Sequence, residues 1–172
     1  MVDKIVVNSH DLKKEYFKYF RIKTDTIFNP LDKKNILKKS KEKINFKFFN
    51  KKTTNFISVG RLTDQKDHLT LLNGFNLLKR NTNFQFRLLI LGRGVNKNKI
   101  KNFIKKNKLK RFIKIIDYKK NPYPFIYNSD CLILSSKYEG LPNVILEGLV
   151  LNKFIISSDC PTGPREILIS GK

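Results

Sequence analysis

Six short apolar runs, separated by stretches with helical periodicity, decide what this chain can fold into. The runs are Ile5-Val6-Val7, Asn55 to Val59, Phe86 to Leu91, Phe112 to Ile116, Cys131 to Leu134 and Phe154-Ile155-Ile156. They are short, rich in β-branched residues and mostly bounded by turn residues, which predicts buried parallel strands. Between them Leu71, Leu72, Phe75 and Leu78 recur at helical spacing, as do Ile100, Phe103 and Ile104. Asn143 to Leu151 and Gly163 to Ile169 predict two more helices. This alternation predicts an α/β fold, a Rossmann-like doubly wound parallel sheet with right-handed crossovers. A chain of 172 residues with 40% hydrophobic residues is large enough for one such core.

The organisation along the chain divides in three. Residues 1–30 predict a strand, a helix from Asp11 to Phe20 and a short strand, the remnant of a preceding domain, because a lone strand and helix cannot bury their apolar faces. Residues 31–54, rich in Lys and Asn, read as a linker, and residues 55–172 as the main domain. No run approaches the roughly 18 apolar residues of a membrane helix, and the opening residues do not read as a signal peptide. Cys131 and Cys160 lack CxxC spacing and a nearby His, so they are expected to be buried, reduced structural thiols in a cytoplasmic, reducing setting.

The 36 Lys and Arg against 14 Asp and Glu give a net charge of +22, which has two readings. One is an anionic partner, a nucleic acid or a membrane surface. The other is compositional drift: Lys, Asn, Ile and Phe abound, Arg is scarce beside Lys, and there is no Ala. Lys also lies across loops and helix faces, and is not gathered into one block with interleaved aromatics.

Candidate chemistry sits just after strands, where open α/β sheets bind ligands. Gly60-Arg61-Leu62-Thr63-Asp64-Gln65-Lys66 follows the first main-domain strand and opens a helix. Gly60 permits close backbone approach, while Arg61 and Lys66 place a forked and a point-like cation beside a diphosphate. The alternative is a solvated turn capped by Thr63 or Asp64. Glu139-Gly140-Leu141-Pro142-Asn143, continuing to Glu147, puts two carboxylates around a helix start, roughly 12 Å apart along the axis. Free N–H groups between them offer an anion site, and carboxylates suit sugar hydroxyls because they only accept hydrogen bonds. The alternative makes Glu139 a cap and Glu147 a solvated residue, although its apolar neighbours predict burial. Asp159 to Ile167 reads as mostly structural, with Gly163 near the site and Glu166 complementing its helix dipole. Gly92-Arg93-Gly94 reads as a plain strand–helix turn that could line a cleft. His10 and His68 are isolated, and no metal-ligand cluster or Asp-x-Asp pair is present.

These stretches together resemble the group 1 (family 4) retaining glycosyltransferases. The resemblance rests on Ser58 to Leu62 with Gln65-Lys66-Asp67, Leu89 to Gly94, Tyr138 to Glu147 and Asp159 to Leu168, the Glu-x7-Glu motif around Gly140, Leu141, Pro142 and Asn143 being most specific. Asp3 to Ser9 and Ile27 to Pro30 resemble the end of the acceptor domain and the crossing strand. The resemblance implies the C-terminal half of a GT-B fold, cut short at both ends, binding a nucleotide diphosphate sugar, a UDP-sugar above all. It implies that Arg61 and Lys66 hold the diphosphate, Glu139 contacts donor-sugar hydroxyls and Glu147 binds the ribose. No metal or cofactor is expected, and transfer would retain anomeric configuration. The acceptor would be a saccharide or lipid-linked, as in cell-surface polysaccharide synthesis. Gly148 departs from the family's usual Ala, and a separate chain supplying the acceptor domain is one way to complete the enzyme. Three further readings stand beside transfer: a basic nucleic-acid module, a donor-binding half at the inner membrane face, and a sugar-nucleotide epimerase.

Overall fold

The computed structural model describes residues 3–168. Along the chain run β1 (Val6–Val7), α1 (His10–Phe20), β2 (Asp25–Thr26), α2 (Lys33–Ser40), β3 (Thr54–Val59), a 3-10 turn (Asp64–Lys66) and α3 (His68–Asn81). There follow β4 (Phe86–Leu91), α4 (Lys97–Lys106), β5 (Ile113–Ile116), α5 (Tyr123–Tyr127), β6 (Cys131–Leu134), α6 (Asn143–Val150), β7 (Phe154–Ser157) and α7 (Pro164–Ile167). Five strands form one parallel sheet in the order β5-β4-β3-β6-β7, with β3 and β4 in register from Thr54 opposite Phe86 to Val59 opposite Leu91.

The doubly wound arrangement follows from the period-two pattern of the central strands. Leu88 and Ile90 point into a core with Leu71, Leu72, Phe75, Ile100 and Ile104, from α3 and α4. Leu89 and Leu91 point the other way, to Ile36, Phe125, Ile126 and Leu151 around α2 and α5. Both faces are apolar, so the β4 sequence shows no alternation. α6 continues through Gly148, which is buried.

Several expectations change. Residues 31–54 hold more than a linker, since α2 inserts the buried Ile36 into the second core. Lysine is a good helix former, and one buried Ile anchors the helix. α5 was not foreseen because it is only five residues long. The edge strand β7 is not buried throughout, because Phe154 and Ile156 lie exposed on its open face. The helix expected to reach Ile169 runs from Pro164 to Ile167, and Ile169 itself lies outside the described residues. Both cysteines are free and buried, and burial pushes the Cys131 thiol up to about 11, which suits an inert core role.

Residues 3–29 form a small unit in which β1 and β2 pair in parallel beside α1. α1 starts at Ser9, whose side chain accepts from Leu12 N–H. Its first turn is completed from the far end of the chain. The Glu166 carboxylate accepts from His10 N–H and Asp11 N–H, each at 3.0 Å. Glu166 therefore complements the N-terminus of α1 as well as lying in α7.

Candidate functional site

The strand order fixes where a ligand can sit. The chain builds outward from β3 to β4 and β5, then returns to place β6 on the other side of β3. The loops leaving β3 and β6 diverge at that reversal and leave a crevice at their carboxyl ends. Gly60 to Lys66 forms one wall and Ser135 to Asn143 the other.

The β3 loop packs tightly against the β4 loop. A Cβ on Gly92 would stand 1.8 Å from the Gly60 carbonyl oxygen, so a glycine is required there. Gly60 N–H donates to Leu91 O and Leu62 N–H to Arg93 O. The loop then makes the 3-10 turn, and α3 is capped by Asp67 instead of Thr63 or Asp64. The Asp67 carboxylate accepts from Thr70 N–H and Thr70 Oγ1, at 3.3 and 2.8 Å.

The two walls are joined by specific bonds. Lys66 Nζ lies 2.5 Å from Glu139 Oε1, with side chains only 14% and 8% exposed. The same oxygen accepts from Ser136 Oγ. Ser135 Oγ donates to Lys66 O, Gln65 Nε2 to Tyr138 O, and Lys137 N–H to Gln65 O. Arg61 Nη2 donates to Gln65 Oε1 at 3.1 Å. From behind, Thr162 Oγ1 donates to the Glu139 carbonyl, and a Cβ on Gly163 (φ +78°) would stand 2.0 Å from Gly140 O. Glu139 thus caps no helix; Pro142 occupies the N-cap position of α6 without a side-chain bond.

Glu147 lies one helical turn further on, partly buried as its apolar neighbours predict. Tyr123 Oη donates to its Oε1 at 3.3 Å. Burial raises the Glu147 carboxyl above the ordinary range, and the Tyr123 hydrogen bond opposes that rise. Burial, then the neighbouring carboxylate, raises the Tyr123 phenol.

Two hollows share Arg61. One of about 500 Å³ is lined by Gly60, Arg61, Arg93, Tyr118, Tyr123 and Glu147, among others. A more open one of about 710 Å³ is lined by Leu12, Arg61, Gln65, Tyr138, Glu139 and Gly140. Of the expected residues, Gly60, Arg61, Lys66, Glu139, Gly140 and Glu147 gather along this line. Leu141 and Pro142 are buried in the supporting loop, and Asn143 accepts a 2.7 Å bond from Asn29. Arg93, Tyr118 and Tyr123 were not assigned to the site from sequence. Their signal is positional: each follows a strand, as Gly60 follows β3.

A doubly wound parallel sheet with its crevice at the strand reversal is the architecture of one half of a GT-B fold. The S. aureus TarM mutant bound to fondaparinux, α-GlcNAc-glycerol and UDP shares it, with a TM-score of 0.80 at 18% identity, over 97% of this chain and 32% of that one. The chain belongs to the glycosyl transferases group 1 family, whose pattern matches residues 39–172. It is 37% identical over 171 residues to an uncharacterized glycosyltransferase of Methanocaldococcus jannaschii, covering 96% of this chain and 42% of that protein. It is 29% identical over 168 residues to the N-acetylgalactosamine-N,N'-diacetylbacillosaminyl-diphospho-undecaprenol 4-alpha-N-acetylgalactosaminyltransferase of Campylobacter jejuni, covering 96% and 44%. The chain thus spans less than half the length of these curated relatives.

Proposed function

We propose that this chain is the donor-binding half of a retaining glycosyltransferase that takes a UDP-sugar, without a metal ion. The observation that carries this reading is Arg61, which lines both hollows and so links Glu147 at one end to Glu139 and Lys66 at the other. The diphosphate lies against Arg61 and Lys66, with the ribose toward Glu147 and the sugar toward Glu139. As the bond from the anomeric carbon to the diphosphate oxygen breaks, negative charge grows on the departing diphosphate. Fixed cations stabilise it there without reorganisation.

Lys66 is paired with Glu139 across the crevice. Donor binding draws Lys66 to the diphosphate and frees the Glu139 carboxylate for sugar hydroxyls. Ser136 and the Thr162 bond hold Glu139 in place during the exchange. The acceptor is a saccharide or a lipid-linked saccharide of a cell-surface polysaccharide, at the cytoplasmic face. That reading draws on the undecaprenol-linked substrate in the Campylobacter enzyme's name. Calorimetry tests the proposal. UDP binds the wild-type chain and binds Glu147→Ala at least about tenfold more weakly, as loss of a hydrogen-bonded carboxylate implies. Equal heats from the two proteins end it.

A further inference from the structure

Positive charge is not spread evenly over this molecule. Residues 97–120 hold eleven Lys and Arg and a single acidic residue, Asp117. This stretch of 24 residues supplies ten of the 22 net charges, and residues 33–52, with nine Lys and one Glu, supply eight more. Drift would raise lysine everywhere alike, whereas 18 of the 22 net charges fall in these two stretches. In sequence the lysines of residues 97–120 look dispersed over a helix, a turn and a strand. The fold brings them together, because α4 packs beside β5 and β5 is the terminal strand of the sheet.

The charges face outward. Ile100 and Ile104 turn into the core, while Lys99, Lys101, Lys105, Lys106, Lys108, Lys110, Arg111 and Lys114 are exposed. Among the described residues, Asp117 is the one carboxylate paired to this group, through Lys97. The aromatic rings nearby are occupied by cations: Lys79 over Phe112, Lys114 over Phe46 and Phe48, and Arg93 over Tyr118. Proteins that hold single-stranded nucleic acid use open aromatic faces for base stacking, and here each of these rings already has a cation over it. A dense cationic edge whose neighbouring rings each carry a cation suits a surface of anionic headgroups.

We propose that the α4–β5 edge is a docking surface for an anionic lipid bilayer. Each lysine there adds attraction that fades within a Debye length, so binding is steeply salt-dependent. The contact is independent of the donor crevice, whose lining residues are left untouched in the test.

The experiment is co-sedimentation of the full chain with vesicles of phosphatidylcholine alone, or with one lipid in three replaced by phosphatidylglycerol. Wild type is expected to pellet only with the anionic vesicles and to be released by salt. A variant combining Lys101→Gln, Lys105→Gln, Lys106→Gln and Lys110→Gln should lose at least about tenfold in affinity. A control combining Lys13→Gln, Lys14→Gln, Lys18→Gln and Lys23→Gln has the same net charge and should stay within about twofold of wild type. UDP binding by all three, measured separately, reports an intact fold. Equal losses in both variants, or no pelleting of wild type, overturn the proposal. So does a gel shift with RNA at physiological salt that the edge variant alone abolishes while vesicles go unbound.

Discussion

Lys66 and Glu139, 73 positions apart, meet in a 2.5 Å ion pair that ties the loop after β3 to the loop after β6. Both side chains are largely shielded from water. Removing one partner leaves the other charge uncompensated, which costs about 3–5 kcal/mol for a buried pair. Lys66→Ala and Glu139→Ala should each lower stability in that range, and the double variant should lose less than their sum. Chemical denaturation of the three proteins measures the coupling.

The same pair predicts opposite effects on UDP. Glu139→Gln releases Lys66, so UDP should bind at least as tightly as to wild type. Lys66→Gln removes a cation from the diphosphate and should weaken binding about tenfold or more. Calorimetry with UDP separates the two.

Burial raises the Glu147 carboxyl. A carboxyl raised in the folded state holds its proton longer there than in the unfolded chain. Stability therefore falls as pH climbs from the ordinary Glu value through the folded one. Glu147→Gln should raise the melting temperature at pH 7 and change it little at pH 4, while weakening UDP binding. Thermal melts at the two pH values check the sign.

His68 behaves in the opposite sense. It is buried, and desolvation, aided by Lys66, lowers its pKa from 6.5 to about 4. The folded chain keeps the ring neutral while the unfolded chain protonates, so this contribution is whole above pH 6.5. It drains away as pH falls toward 4. His68→Gln should show a shallower loss of stability across that window, read by denaturation at half-unit steps.

Gly92→Ala tests the closeness of the β3 and β4 loops. Its Cβ would collide with the Gly60 carbonyl oxygen, a backbone atom that cannot swing aside. The substitution should displace Gly60 and Arg61, cost about 2 kcal/mol or more as a strained backbone site does, and abolish UDP binding. Glycine at Gly74, where a Cβ meets nothing within 4 Å, supplies the control: Gly74→Ala should be neutral or stabilising.

The sheet was legible because all five main-domain runs are short, apolar and bounded by turns, and each forms a strand within a residue or two of its expected ends. The candidate site was legible where motif and strand end coincide, at Gly60 to Lys66 and Glu139 to Glu147. What escaped was three-dimensional in origin. α2 buries a single Ile among lysines, so it carries too little periodicity to see. Glu166 looked like an ordinary first-turn acid, and nothing local reveals that its oxygens reach the start of α1. Tyr123 lies between Pro122 and Pro124 and just after Asn121, a context that reads as turn, yet it supplies the hydroxyl that bonds Glu147.

The bond from Glu166 to His10 and Asp11 also sets an order of assembly. During synthesis the segment that becomes α1 is made 156 residues before the carboxylate that completes its first turn. Until then the His10 and Asp11 N–H groups lack their carboxylate partner. α1 is thus made well before the contact that completes its first turn can form.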